Sequence, residues 1–233
     1  QGPCQGKMTE WPAGSGKGRY PVQALQEKVY SHLKDRIVNC EMLPGAVISE
    51  EILAGEFGTS RTPIREALLR LQKENLVVIF PRQGTFVSQI SLKDIHEIYQ
   101  IRLFMEPKVA RIACRSMDPQ VLEGFRRRFS GGGMNSSAPL EWFRHDRELH
   151  GYIIECAGNR HLKMIYGSVI DQNQRMRILA GRLPLRISDT NEEHASIVDA
   201  LLSKDEDRVE KAMQAHILAS RDAVLRIDGF VYE

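Results

Sequence analysis

Four side chains in the second half of this 233-residue chain could do coordination chemistry. Asp146 and His150 stand four apart, a spacing that stacks two side chains on one face of a helix. Phe143, Leu149 and Ile153 fall on that face too, so the pair borders a core. His194 precedes Ile197 and Val198 by a turn, and His216 lies among Ala212, Met213 and Ala219, again along apolar stripes. Three imidazoles and one carboxylate from three helices could therefore converge inside one bundle. Neutral imidazole nitrogens with a carboxylate oxygen suit zinc, nickel or manganese and leave positions open for water. Taken singly, each histidine reads more simply as a core or rim residue, and an acid four residues before a histidine is common on helices.

Arg102 is the next residue with chemistry to explain. Ile95, Ile98, Met105 and Val109 flank it on the inward face of a long helix. A guanidinium placed there must find an anion, because an unpaired buried charge is costly. Glu106, one turn on, would serve. The other reading is a bidentate clamp on the carboxylate of a small ligand whose second oxygen ligates the metal. Asn173, and after it Arg175 and Arg177, could add hydrogen bonds from a neighbouring helix. The sequence leaves both readings of Arg102 open.

A third group of residues suits nucleic acid. Ile48 to Val87 reads as helix, tight turn, helix and small β-hairpin. Ser49 is a good N-cap, with Ile52, Leu53 and Phe57 as an apolar stripe, and Gly58 stands where a positive φ is easiest. Thr59 to Thr62 makes the turn, Pro63 suits the first turn of the second helix, and Ile64, Ala67, Leu68 and Leu71 recur at helical spacing. That helix can enter a major groove with Ser60, Arg61, Thr62 and Arg65 near base edges or phosphates. Pro81 to Gly84 forms the hairpin tip, so Arg82, Gln83 and the Gly84 backbone would reach the adjacent groove or sugar-phosphate chain. The arrangement is a winged helix-turn-helix.

The elements that must position these residues divide the chain. Residues 1–21 lack periodicity and read as a mobile arm. Val22 to Cys40 is an amphipathic helix with Leu25, Val29, Leu33 and Ile37 on one face, followed by Leu43-Pro44-Gly45. Ser91-Leu92-Lys93-Asp94 is a capping box that opens a helix to about Ser116 and marks a domain boundary. Asp118-Pro119 starts a helix running into Arg126-Arg127-Arg128, a triplet that reads as a solvated face or the partner of acids. Ser130 to Pro139 is a flexible connector, and further helices follow over Leu140–Cys156, Arg160–Gly181, Ser188–Ser203 and Asp205 to about Asp228. The expected fold is mainly α: a winged helix-turn-helix of three helices and a small hairpin over 22–90, then an all-α bundle of six or seven helices over 91–230.

Bulk properties agree with a local basic surface. The net charge is only +2, so any affinity for DNA must come from a cluster. Arg61, Arg65, Arg70 and Lys73 stand against a single acid, Glu66, in that stretch. No run of about 18 apolar residues suggests a membrane span, and no secretory leader is evident. Cys4, Cys40, Cys114 and Cys156 are scattered, as expected for reduced thiols in a cytoplasmic protein.

Ser-Arg-Thr-Pro-Ile-Arg-Glu-Ala from Ser60, the Leu-X-X-Leu that follows, and Arg-Gln-Gly-Thr-Phe-Val from Arg82 closely resemble the DNA-binding domain of the GntR family of bacterial transcription regulators. The resemblance covers about Gln26 to Ser88, and the family's Leu-X-Pro-Gly stands here as Met42-Leu43-Pro44-Gly45. Asp-Arg-Glu-Leu-His at 146–150, Asn-Glu-Glu-His ending at His194 and Met-Gln-Ala-His-Ile around His216 look like the FadR-type C-terminal (FCD) domain. Many such domains bind a divalent metal with one Asp and three His, which implies that role for Asp146, His150, His194 and His216, with zinc foremost and nickel or manganese as alternatives. Many members answer to carboxylate metabolites, which implies an effector site at Arg102 and Asn173. The connector Ser130 to Pro139 departs from the family's usual charged helical run.

The implied protein is a regulator, not an enzyme: a homodimer on a pseudo-palindromic duplex operator, repressing until a small carboxylate enters the bundle. Two rivals differ from it. A metal-dependent hydrolase could use the same four ligands, but no further placed acid, base or nucleophile stands out and the winged domain would have no purpose. A metal-sensing regulator would exchange its ion readily, whereas a structural ion should survive mild chelation.

Overall fold

The computed structural model describes residues 22–130, 139–180 and 187–226. The arm at 1–21, the connector within 131–138, residues 181–186 and the chain beyond 226 lie outside the described residues.

Helix α1 (Val22–Val38) lays Val29, Leu33 and Ile37, all 0% exposed, against α3 (Arg61–Lys73), which buries Ile64, Ala67, Leu68 and Leu71. Between them, α2 (Glu50–Glu56) starts where Ser49 accepts the Ile52 N–H and stops before Gly58, whose φ is +59°. Ile52 departs from the expected stripe and is 65% exposed. In so short a helix Leu53 and Phe57, four apart, set the inward face, and Ile52 is turned about 100° off it. Arg61 and Thr62 also move: α3 begins at Arg61, so the turn closes two residues sooner than expected.

The hairpin of β2 (Val77–Phe80) and β3 (Gly84–Val87) turns through Arg82 at φ +64° and Gly84 at φ +124°. It gains a third strand that the sequence did not disclose. Strand β1 (Val47–Ile48) pairs antiparallel with β3, giving the order β1-β3-β2. Two residues are too few to leave a pattern. Gly45 stands at φ +81°, a backbone conformation that a residue with a side chain adopts only under strain.

The second half is helical throughout its described residues. It comprises α4 (Leu92–Ala113), α5 (Pro119–Ser130), α6 (Pro139–Cys156), α7 (Arg160–Ala180), α8 (Ile187–Leu202) and α9 (Glu206–Leu225). The capping box forms as expected, with Asp94 accepting the Ser91 N–H at 2.8 Å and Ser91 Oγ accepting the Asp94 N–H at 3.1 Å. Pro107 sits inside α4 and removes one rung of its hydrogen-bond ladder. Helix α4 packs on α9, and α5 on α8, around Ile95, Tyr99, Leu149, Val198 and Ile217. Arg126 pairs with Asp199 at 3.0 Å and Arg128 with Glu148 at 2.8 Å, so two of the triplet find acids. Two separate apolar cores result, one beneath the winged motif and one in the bundle.

Candidate metal centre and nucleic-acid interface

Helix α6 carries Asp146 and His150 inward, α8 carries His194 and α9 carries His216, because each rides the apolar stripe that packs the bundle. All four are at most 2% exposed, and one ligand atom from each lies within 4.8 Å of the others. His194 Nε2 stands 2.9 Å from Asp146 Oδ1, and His150 Nε2 stands 3.8 Å from the same oxygen. Phe129 and Trp142 wall the His194 side, with ring centroids at 4.6 and 6.3 Å.

What surrounds the four decides which atoms face inward. Glu106 Oε2 lies 2.6 Å from His150 Nδ1, and Glu193 Oε2 lies 2.8 Å from His216 Nδ1. A carboxylate at Nδ1 keeps the proton there and leaves the Nε2 lone pair free. Arg177 donates to Asp146 Oδ2, which leaves Oδ1. His150 Nε2, His216 Nε2 and His194 Nδ1 are buried without a hydrogen-bond partner, and Asp146 Oδ1 and His194 Nε2 have only their 2.9 Å approach to each other, at an angle too poor for a full hydrogen bond. Each such atom costs free energy if nothing meets it. A single divalent cation would meet one atom from each residue, so the donor set fits a metal ion.

The electrostatics prepare the same set. Burial pushes His194 down to about 4, against the opposing pull of Asp146. Burial, with His194 and His150 beside it, also holds His216 well below its ordinary value. Burial alone would raise Asp146, yet the Arg177 charge and the His194 contact keep it well below the usual carboxylate range. Neutral imidazoles beside an ionised carboxylate are what a divalent metal requires.

Arg102 is 0% exposed, and its partner is Glu106, with Nε to Oε1 at 2.5 Å and Nη2 to Oε2 at 3.3 Å. Nη1 donates to Asn173 Oδ1 at 2.9 Å, which joins the two expected effector residues. Burial opposes ionisation of Glu106, but Arg102 and His150 outweigh it and hold the carboxyl at about 2. Arg177 supports the centre, whereas Arg175 does not enter it. The Arg175 guanidinium turns to Gln172 Oε1 at 2.8 Å and to the Ser88 carbonyl at 2.5 Å, at the junction with the winged motif. Helical spacing explains the split, since residues two apart on α7 point about 200° apart.

On the winged motif, Ser60 takes the N-cap backbone conformation of α3 without a side-chain capping bond. Ser60, Arg61, Thr62, Arg65, Arg82, Gln83 and Gly84 are all exposed. Arg61 donates to Glu51 at 3.1 Å and Arg65 to Glu50 at 2.7 Å. Such exposed pairs hold weakly in water and yield to a phosphate.

The sequence did not mark Glu50, Glu51 or Glu193 as part of either site. Glu193 adjoins His194 in the chain yet serves His216, and only the packing of α8 on α9 brings them together. Glu50 and Glu51 stand in the first turn of α2, and only the packing of α2 beside α3 sets them against the arginines.

The two halves each match a family model: bacterial regulatory proteins, gntR family, over residues 25–87, and the FCD domain over residues 97–219. The chain is 30% identical over 190 residues to an HTH-type transcriptional regulator, YdhC, of Bacillus subtilis (strain 168), covering 80% of this chain and 85% of that one. It is 25% identical to the HTH-type transcriptional repressor RspR of Escherichia coli (strain K12), over 89% of this chain and 92% of that one. It is 27% identical to the HTH-type transcriptional repressor NanR of Cronobacter sakazakii, over 88% and 87%. Among solved structures, Escherichia coli McbR/YncC superposes with a TM-score of 0.73 at 20% identity, covering 87% of this chain and 97% of that one. A putative GntR regulator from Rhodococcus sp. RHA1 superposes at 0.75 and 18% identity, covering 88% and 100%. These two share the fold. Among the described residues no helix is long and apolar enough to cross a membrane.

Proposed function

Because this chain belongs to the GntR family of bacterial transcriptional regulators and carries an FCD domain, we propose that its hold on operator DNA is set by a small carboxylate bound beside a divalent metal ion. The observation that carries this reading is the set of buried ligand atoms, all within 4.8 Å of one another, that Asp146, His150, His194 and His216 bring together. Zinc suits three imidazoles and a carboxylate best, with nickel and manganese next. A bound ion would supply positive charge for an organic carboxylate oxygen.

Arg102 and Asn173 stand next to that point through Glu106. Asn173 Nδ2 and the Tyr166 hydroxyl are buried without partners, and Tyr166 feels the charges of Glu106, Arg102 and Asp146. These are groups that the remaining oxygens of an organic acid would take up. Both rim acids, Glu106 and Glu193, are committed to imidazoles, which weighs against a hydrolase needing one as a base.

In this reading residues 22–90 read DNA and residues 91–230 hold the ion and effector and form the dimer. Ser60, Arg61, Thr62 and Arg65 enter the major groove, while Arg82, Gln83 and Gly84 follow the adjacent backbone. Ile101, Phe104 and Ile112 are 40%, 72% and 65% exposed along one side of α4 and suit a second copy of the chain. Two copies double the sequence read. Repression agrees with the two relatives named as repressors, its relief by the metabolite is part of the proposal, and the protein would work in the cytoplasm.

The test is an anisotropy titration against a duplex that the protein itself selects from random DNA, with zinc or chelator and with a panel of small carboxylates. At least one carboxylate should shift the affinity in the zinc-loaded protein and lose its effect with chelator. Equal affinity under every condition would overturn the reading.

A further inference from the structure

One helix reaches both halves of the molecule. On α7, Asn173 and Arg177 stand one turn apart and face the chamber, where they hold Arg102 and Asp146. Asp171, Gln172, Gln174 and Arg175 on the same helix meet the winged domain. Asp171 Oδ2 lies 2.7 Å from Lys34 Nζ on α1, and Gln174 donates to Asn39 Oδ1 at 2.6 Å. Gln172 donates to the Asn75 carbonyl at 3.0 Å, and Arg175 to the Ser88 carbonyl at 2.5 Å. Four places on the winged domain, at Lys34, Asn39, Asn75 and Ser88, are thus tied to α7.

Two of these ties are full charges shut away from water, since Asp171 is 2% exposed and Arg175 0%. Asp171 also accepts from Arg147 at 2.6 Å, and Arg147 lies on α6 beside Asp146. A buried charge that loses its partner is strongly penalised, so the set moves together or breaks together. Asp171 and Arg177 are six residues apart on a stiff helix, about 9 Å along its axis. A shift imposed at one end must therefore be felt at the other.

We propose that Asp171 and Arg175 are positioning residues for DNA reading: they pass to the winged domain any displacement of α7 that the chamber imposes through Asn173 and Arg177. The inference rests on the regulated-reader function proposed above and names the joint that regulation would use. It needs an element whose placement both sites bias, and α7 is bonded to both.

The test perturbs the chamber by substitution, so that it does not depend on metal. Asp146→Asn is placed in the full chain and in chains also carrying Asp171→Asn or Arg175→Met. Amide hydrogen exchange is read over α1 and the Leu71–Leu76 turn, together with affinity for the selected duplex. With the joint intact, Asp146→Asn should alter exchange at both places and change affinity by roughly 5-fold or more. With the joint cut, the exchange change should vanish and the affinity change fall within about 2-fold. The same response in both backgrounds, or no response with the joint intact, would overturn the proposal. Lys34→Met breaks the Asp171 contact from the winged side and replaces Asp171→Asn if that variant does not fold. Zinc uptake by the unsubstituted chain is measured in parallel; its absence would remove the metal reading while the role of the joint is still decided by the exchange data.

Discussion

Glu106 stands between a guanidinium and an imidazole, with Oε1 2.5 Å from Arg102 Nε and Oε2 2.6 Å from His150 Nδ1. A carboxylate so held does two jobs at once: it neutralises a buried arginine and it fixes which nitrogen of His150 faces the proposed ion. Glu106→Gln should keep the side-chain shape while weakening both. Zinc affinity, measured by competition with a chromophoric chelator, is expected to fall by roughly 10–100-fold. An unchanged affinity would mean that the pair serves packing alone.

Replacing ligands should be harsher than replacing their support. His150→Ala combined with His216→Ala removes two of the four inward donors. Elemental analysis of the purified double variant should find no bound zinc, nickel or manganese. Full retention would place the ion elsewhere.

The reading face carries its own acids. Arg65→Ala should weaken operator binding by about 1–3 kcal/mol if Arg65 contacts a base. Glu50→Gln should do the reverse, because it releases Arg65 from its 2.7 Å pairing and removes a negative charge facing phosphates. Anisotropy titrations at two salt concentrations check both, and a Glu50→Gln variant that binds more weakly would show that the pairing positions Arg65 for DNA.

Acid should loosen the metal-free bundle in a defined window. His194 is held at about 4 against an ordinary 6.5, so between those values the unfolded chain takes up a proton that the native chain refuses. Its contribution is full above pH 6.5 and is lost as the pH falls toward 4, at a cost of about 3 kcal/mol. His216 acts in the same direction. Glu106, held at about 2 against 4.5, adds a second loss only in the range below its ordinary value. Denaturant titrations with chelator at pH 7 and 5 should show the first loss, and identical midpoints would refute it.

The legible parts of the molecule were those with a local cause. Ser49, Gly58, Ser91 with Asp94, and the stripe Ile64–Ala67–Leu68–Leu71 act within a few residues of themselves, and the structure shows each at its expected place. Asp146 and the three histidines were legible as inward-facing residues because each rides an apolar stripe, while their convergence needed helices far apart in sequence. Glu193 beneath His216 and Asp171 against Lys34 depend wholly on how helices pack, so no spacing announced them. Arg175 was misplaced for a related reason: its neighbours on α7 alternate between two domains, and a stripe cannot say which one it meets.

Pro107 gives α4 a property that its length conceals. The Leu103 carbonyl, one turn back, has no amide to receive at that point, so the rod is softest one residue beyond Glu106. Strain arriving from an enlarged or contracted cavity would be absorbed there as flexure. The stretch beyond the proline lies on α9 through apolar packing, to which the exposed pairs of Lys108 with Glu210 and Arg111 with Asp207 add little. The segment from Leu92 to Leu103 is held to α9 as well, by the Tyr99 hydroxyl 2.9 Å from Ser220 Oγ and by Ile95 in the bundle core, so any bend at the proline must carry part of α9 with it.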